Sequence, residues 1–225
     1  MVGRTGGKIM YSIVLFDLDG TLTDPKIGIT TCVQYALQKM GIDEPDLDKL
    51  IPFIGPPLTY SFKEYYHMSD EQAEEAIGYY RERFSTVGLY ENAVFPGIGD
   101  LLDGLRQQGK TLIVATSKPT IYSVKILEHF QLEGYFQSVV GSNLDGTRVE
   151  KHEVIEYALS ELGDYDRSQI IMVGDRMHDI RGAKRNGIAV VGVAYGYGSR
   201  EELEQAEPDH IVDTVAELKA YLVAR

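Results

Sequence analysis

Cysteine occurs once, at Cys32, so no intrachain disulfide can form. That usage fits a reducing, cytoplasmic setting. No apolar run approaches the ~20 residues that a membrane-spanning helix needs. The longest stretches, such as Ile13-Val14-Leu15-Phe16 and Ile188-Ala189-Val190-Val191, have strand length. They read as buried strands of a parallel sheet. Positive charge is scarce: 22 Lys and Arg stand against 34 Asp and Glu, a net charge of −12. This argues against a nucleic-acid or anionic-membrane partner, because both are bound by basic patches. A small phosphorylated substrate stays compatible, since a metal ion and one or two lysines can set the local field. No Gly-rich loop ends in Gly-Lys-Ser/Thr. Gly97-Ile98-Gly99 lacks the third glycine of a dinucleotide fingerprint and reads as a helix start. The histidines (His67, His129, His152, His178, His210) lack metal-ligand spacing. Internal repeats and low-complexity segments are absent as well. Met1 to Met10 is polar and Gly-rich, without the apolar core of a signal peptide. It reads as a loose leader before the first strand.

What is present is an ordinary globular composition, 44% hydrophobic and 25% charged over 225 residues. The length suits one large domain, or one domain carrying an insertion. Short apolar strands alternate with helix-period segments, which indicates an α/β fold with a parallel sheet. Strands are expected at Ser12–Phe16, Thr111–Ala115, Ser138–Val140, Gln169–Val173, Ala189–Val193 and His210–Val212. Helices are expected at Gly99–Gln108, Thr120–Phe130, His152–Leu162, His178–Asn186 and Thr214–Val223. Gly109, Gly163 and Gly187 follow helical patterns where a left-handed terminal residue belongs.

From Lys26 to Asn92 the alternation stops. Amphipathic patterns over Ile29–Met40, Leu58–His67 and Asp70–Phe84 replace it, with a loop at Ile54-Gly55-Pro56-Pro57. A strand-free block after the first strand of an α/β domain reads as an inserted helical cap. Its many tyrosines (Tyr60, Tyr65, Tyr66, Tyr79, Tyr80, Tyr90) read mainly as helix packing with the hydroxyl at the surface.

Four motifs carry chemistry. The first is Phe16-Asp17-Leu18-Asp19-Gly20-Thr21-Leu22-Thr23-Asp24. A buried strand runs into two carboxylates spaced i, i+2, which project to one side of an extended chain. They lie at the carboxyl end of a parallel strand, where open α/β sheets bind ligands. Gly20 lets the chain turn at once. One acid can stay ionised as nucleophile and metal ligand while the other shuttles a proton. An Asp-rich turn explains a bare Asp-x-Asp equally well, but not the whole string. The second motif is Leu112-Ile113-Val114-Ala115-Thr116-Ser117-Lys118-Pro119. The hydroxyl of Thr116, with neighbouring backbone N–H groups, can hold a phosphoryl oxygen. Helix capping is the commoner use of such a Thr. The third is Lys151, just ahead of a helix near His152, where a cation is misplaced unless it faces anions. The fourth is Ile170-Ile171-Met172-Val173-Gly174-Asp175-Arg176-Met177-His178-Asp179. Asp175 suits a direct Mg²⁺ ligand, and Asp179 a partner that orients ligands or water.

Taken together, Asp-x-Asp-Gly-Thr, strand-Thr, Lys and Gly-Asp-x-x-x-Asp resemble the phosphatase branch of the haloacid dehalogenase-like superfamily. The resemblance covers nearly the whole chain. It implies a Rossmann-like core over 10–25 and 93–225, with a helical cap over 26–92. It also implies roles. Asp17 is expected as the nucleophile that becomes an aspartyl-phosphate. Asp19 is expected as general acid and then base, its backbone carbonyl binding Mg²⁺. Thr116, Ser117 and Lys151 are expected to hold the phosphoryl group. Asp175 completes the metal site with Asp17, and Asp179 supports it. An Asp at position 19 favours phosphoryl transfer over dehalogenation, which has no leaving oxygen to protonate. Gly55-Pro56-Pro57-Leu58, Phe95-Pro96-Gly97-Ile98, Gly141-Ser142-Asn143-Leu144-Asp145-Gly146 and Tyr195-Gly196-Tyr197-Gly198 look like the phosphoglycolate phosphatase-like group. Lys151 is followed by His152 where many relatives have proline. Phosphoglycolate is the leading substrate expectation. A nucleoside monophosphate, a phosphotyrosine-containing substrate and a phosphoglucomutase-like isomerisation are the alternatives.

Overall fold

The computed structural model describes residues 10–225; the leader expected over the first residues lies outside the described residues up to Met10. The chain runs β1 (Ile13–Phe16), β2 (Thr23–Asp24), α1 (Lys26–Lys39), a 3₁₀ segment Leu47–Phe53, α2 (Leu58–Tyr66), α3 (Asp70–Phe84) and β3 (Ala93–Val94). It continues with α4 (Ile98–Gln107), β4 (Thr111–Pro119), α5 (Thr120–His129), β5 (Ser138–Ser142), α6 (Lys151–Leu162) and β6 (Ile170–Gly174). The last elements are α7 (Met177–Arg185), β7 (Ala189–Val193), α8 (Arg200–Ala206), β8 (His210–Val212) and α9 (Val215–Val223).

Six strands form one parallel sheet in the order β5-β4-β1-β6-β7-β8. The chain builds outward from β1 on one side, then crosses to build the other. That reversal leaves a crevice at the carboxyl end of β1, the place where ligands bind in such sheets. Alternation along the strands sorts the core into two layers. Val14, Phe16, Leu112, Val114, Ile171 and Val173 pack into one, with residues of α4, α5 and α9. Ile13, Leu15, Ile113, Ala115, Ile170 and Met172 pack into the other, against α6, α7 and α8. The sheet is therefore covered on both faces, as a parallel sheet requires. Phe53, Phe62, Ala73, Ala76, Tyr80 and Phe84, from the helical stretch after β2, join the first layer rather than forming a core of their own. No helix among the described residues is long and apolar enough to cross a membrane.

Several elements differ from the sequence reading. β2 and β3 pair antiparallel, Thr23 with Val94 and Asp24 with Ala93, at the two ends of the helical stretch. Two residues are too few to show a period. Helix α1 starts at Lys26 rather than Ile29, because the Asp24 carboxylate accepts the Lys26 N–H at 3.0 Å. α8 was not expected; Ser199 caps it by accepting the Glu202 N–H at 3.0 Å. β4 extends four residues beyond Ala115, with a register shift against β5.

Candidate active site

Three neighbouring strands deliver the site. Asp17 continues β1, its N–H donating to Val173 O at 2.9 Å. Thr116, Ser117 and Lys118 lie on the extended end of β4, and Asp175 follows Gly174 at the end of β6. α6 and α7 contribute Lys151 and Asp179 from their first turns. Asp17, Asp19, Thr116, Lys151, Asp175 and Asp179 are all buried. All of the expected site residues thus come to one end of the sheet.

Lys151 is the first residue of α6, not the residue before it, and Glu150 occupies the cap. Its Nζ lies 2.8 Å from Asp17 Oδ1 and 2.9 Å from Asp179 Oδ1, and donates to Ala115 O at 3.2 Å. Burial opposes the charge on Lys151, but Asp17 and Asp179 outweigh it and raise the pKa. The other oxygen of Asp179 accepts the Arg176 N–H at 3.0 Å, so this side chain caps α7 and reaches the site together. Burial raises the Asp179 carboxyl to about 6 against the pull of Lys151.

Asp175 Oδ2 accepts the Tyr197 N–H at 2.7 Å, and its Oδ1 accepts the Thr21 hydroxyl at 3.4 Å. Its pKa stands well above the ordinary carboxylate value, first through burial and then through the charges of Asp179 and Asp17. Gly20, at φ +83°, makes this packing possible: a Cβ there would lie 2.2 Å from Asp175 Oδ2.

Carboxylate oxygens of Asp17, Asp175 and Asp179 lie within 4.8 Å of one another. Lys151 pairs with Asp17 and Asp179, while Asp175 has no such cation partner among the described residues, so once ionised the cluster carries surplus negative charge. That charge and its hard oxygen donors fit a divalent cation such as magnesium or calcium. The carboxylate of Asp19 stands outside this cluster. Its Oδ2 pairs with Lys118 Nζ at 2.7 Å, while Oδ1 is buried without a hydrogen-bond partner among the described residues. Burial raises the Asp19 pKa, with Lys118 working against it.

Thr116 does not cap a helix, since α5 begins only at Thr120. Its Oγ1 accepts the Lys118 N–H at 3.3 Å, which leaves the hydroxyl proton free to donate. A cavity opens over Asp17, Asp19, Thr116, Ser117 and Lys118. Phe53, Tyr80, Phe84 and Tyr122 form much of its wall, with Arg81 and Asn143 also lining it. Lys118, Tyr197 and this aromatic wall were not assigned to the site from sequence, although Tyr197 stands in the Tyr195-Gly196-Tyr197-Gly198 motif. Lys118 was in view inside the second motif, and the tyrosine-rich block was the available signal for the wall.

The family model described as haloacid dehalogenase-like hydrolase matches residues 14–193. A 5'-nucleotidase of Pseudomonas aeruginosa is 50% identical over 95% of this chain and 96% of its own length. The tyrosine-protein kinase PtkA of Mycobacterium tuberculosis is 38% identical over 93% of this chain and 72% of its length. A phosphoglycolate phosphatase of Aliivibrio fischeri stands at 29%, over 93% of this chain and 96% of its length. Among solved structures, a predicted phosphatase from Clostridium acetobutylicum superposes with a TM-score of 0.93 at 48% identity, covering 96% of this chain and all of the other. By a family match over most of its length and by these relatives, the chain belongs to the haloacid dehalogenase-like hydrolases, among their phosphatases.

Proposed function

We propose that the chain is a Mg²⁺-dependent phosphomonoester hydrolase that works through an aspartyl-phosphate on Asp17. The observation that carries this reading is the setting of Asp17. Its carboxylate opens on the cavity, is held by Lys151 Nζ at 2.8 Å, and shares a buried acidic cluster with Asp175 and Asp179.

In this reading an Asp17 oxygen attacks phosphorus and the ester P–O bond breaks. Asp19 gives the departing oxygen a proton. Asp19 then takes a proton from water as that water attacks the aspartyl-phosphate, releasing phosphate and restoring Asp17. Thr116, Ser117 and Lys151 hold the phosphoryl oxygens, Thr116 with its free hydroxyl proton. Asp17, Asp175 and the backbone carbonyl of Asp19 would hold Mg²⁺, with Asp179 orienting the set. The ion, when bound, offsets negative charge on the phosphoryl group. The helices between residues 26 and 92 serve as a cap, whose Phe53, Tyr80 and Phe84 wall the cavity.

The substrate is a small phosphorylated metabolite. The aromatic wall suits a flat, partly apolar leaving group, and the 5'-nucleotidase is the relative at 50% identity; both support a nucleoside monophosphate. Phosphoglycolate is the second reading. Arg81 on the cavity lining supplies a cation for its carboxylate, and the relative of that name stands at 29%.

The test is phosphate release from nucleoside monophosphates, phosphoglycolate, a phosphotyrosine ester and a sugar phosphate, with Mg²⁺ and with chelator. Free phosphate and Mg²⁺ dependence are expected, and Asp17→Asn should abolish both while the protein stays folded. An active, folded Asn variant overturns the covalent route. A sugar phosphate isomerised without phosphate release points to the mutase reading instead.

A further inference from the structure

We propose that Lys118 is a positioning residue for Asp19: clamped between the Asp19 carboxylate and the Phe84 ring, its ammonium occupies Oδ2 and reserves Oδ1 for proton exchange. This inference rests on the role proposed above for Asp19.

The geometry is specific. Lys118 Nζ lies 2.7 Å from Asp19 Oδ2, and both side chains are more than nine-tenths buried. The same ammonium lies 4.5 Å from the centroid of Phe84. Asp19 Oδ1 is buried and unpaired among the described residues, although Asp19 lines the cavity. A short carboxylate beside a cavity has two equivalent oxygens and a free χ2. Pairing one of them with a fixed cation makes them inequivalent and sets the plane of the group. The oxygen left over is the one able to exchange a proton with a bound ester.

A lysine side chain has four rotatable bonds and loses much rotamer freedom when held in one place. Phe84 offsets that loss with a desolvated cation–π contact. The ring is itself fixed, stacked on Tyr80 at 5.1 Å and met edge-on by Tyr122 at 5.4 Å between centroids. Phe84 and Tyr80 belong to α3, whereas Lys118 lies at the end of β4 and Asp19 follows β1. The placement of α3 over the cavity is thereby linked to the orientation of Asp19.

The experiment compares wild type, Lys118→Met, Lys118→Arg and Phe84→Leu in single turnover. Each is given two monoesters, the best alkyl phosphate from the substrate panel and p-nitrophenyl phosphate. Lys118→Met should slow transfer from the alkyl ester by roughly 10- to 100-fold, a share of the ~10²–10⁴ that acid–base help is worth. Transfer from p-nitrophenyl phosphate, whose leaving group needs little protonation, should fall by about threefold or less, with KM changing as little. Phe84→Leu should show the same selectivity at smaller size in the transfer step at saturating ester, its effect on KM being set aside because Phe84 also walls the cavity, and Lys118→Arg should restore most of the rate. Added to Asp19→Asn, Lys118→Met should cost nothing further, because both act on one step.

A raised KM with unchanged kcat for both esters would show that Lys118 touches substrate directly, and overturns the proposal. Equal slowing of both esters overturns it too. Should Lys118→Met not fold, Phe84→Leu decides: an unselective loss there refutes the clamp. Acid-quenched Asp19→Asn protein given p-nitrophenyl phosphate, in which the second step lacks its base, is run alongside. Absence of phosphate on Asp17 would sink the proposed mechanism itself. Phosphate on Asp17 without leaving-group selectivity in the variants would sink only the role of Lys118.

Discussion

Lys151 Nζ stands 2.8 Å from Asp17 Oδ1 although Lys151 begins a helix, where the backbone dipole disfavours a cation. The buried carboxylates of Asp17 and Asp179 outweigh that penalty. The ammonium is their counter-ion as well as a candidate phosphoryl contact, so its loss should be felt before any substrate binds.

Lys151→Met keeps much of the side-chain volume and removes the charge. It leaves two carboxylates buried without a cation, and truncating one partner of such a set costs about 3–5 kcal/mol. Urea unfolding in chelator should show a loss of that order, and turnover should vanish. Asp179→Asn in the same background should recover part of the stability but not the activity. A loss below about 1 kcal/mol would mean the charges were already relieved by protonation or water.

Gly20→Ala separates backbone strain from a clash at the site. Gly20 has φ +83°, and a Cβ would lie 2.2 Å from Asp175 Oδ2. Gly41 has φ +79° with nothing within 4 Å of an added Cβ. Both alanine variants should lose about 1–3 kcal/mol for the left-handed backbone. Gly20→Ala alone should also lose most turnover and weaken Mg²⁺ binding, because Asp175 must move. Thermal unfolding and a Mg²⁺ titration of both variants check this; equal behaviour would show that Asp175 yields without consequence.

The end of β1 at Phe16 was legible, and the sites at β4 and β6 were marked by the Thr and Gly-Asp that break their apolar runs, although β4 itself runs on to Pro119 and β6 to Gly174. A buried strand that ends in a polar residue marks its own carboxyl end, and parallel strands place those ends together. Most helices were legible by their period to within a residue or so at each end; α1 began three residues early, where the Asp24 carboxylate accepts the Lys26 N–H, and α8 was missed. Lys118 was not legible as a site residue, since nothing local tells a lysine aimed at Asp19 from a solvated one. Tyr197 was hidden for a different reason. It serves Asp175 through its backbone N–H, which every non-proline residue carries. The β2–β3 pairing depends on two residues from each side, below the length at which alternation is visible.

Metal and pH should act on one another. Asp179 has its pKa raised from 3.8 to about 6 by burial, and Asp175 is raised well above 3.8 by burial and its acidic neighbours. A carboxyl group with a raised folded pKa binds its proton more tightly in the folded state. The stability it contributes is complete below the unfolded value of 3.8 and is lost as pH climbs through about 6. Metal-free protein should therefore weaken between about pH 4 and pH 6 at Asp179, and Asp175 acts in the same direction. Magnesium binds the ionised carboxylates, so its stabilising effect should be small near pH 5 and larger near pH 7.5. Ligand at 100 times its Kd adds about 2.7 kcal/mol. Thermal unfolding in chelator and in excess Mg²⁺ at the two pH values measures the effect. An equal Mg²⁺ gain at both would place the ion elsewhere.

Asp19→Asn asks what the second carboxylate does. Asparagine keeps the shape, and its amide oxygen still accepts from Lys118, but it can neither give the leaving oxygen a proton nor take one from water. With an alkyl ester, whose alkoxide leaves poorly, formation of the aspartyl-phosphate should slow by about 10²–10⁴-fold, the usual worth of positioned acid–base help. With p-nitrophenyl phosphate the same step should be largely spared, because that phenolate departs without a proton. The second step still needs a base for the attacking water, so phosphate should build up on Asp17 in the variant and be visible after acid quench. Steady-state rates would mix the two steps, which is why single-turnover measurement is the deciding one. The backbone carbonyl of residue 19 is unchanged by the substitution, so Mg²⁺ affinity should shift little. Equal first-step losses for both esters would assign Asp19 to positioning or to the metal site, and would remove it as the proton donor.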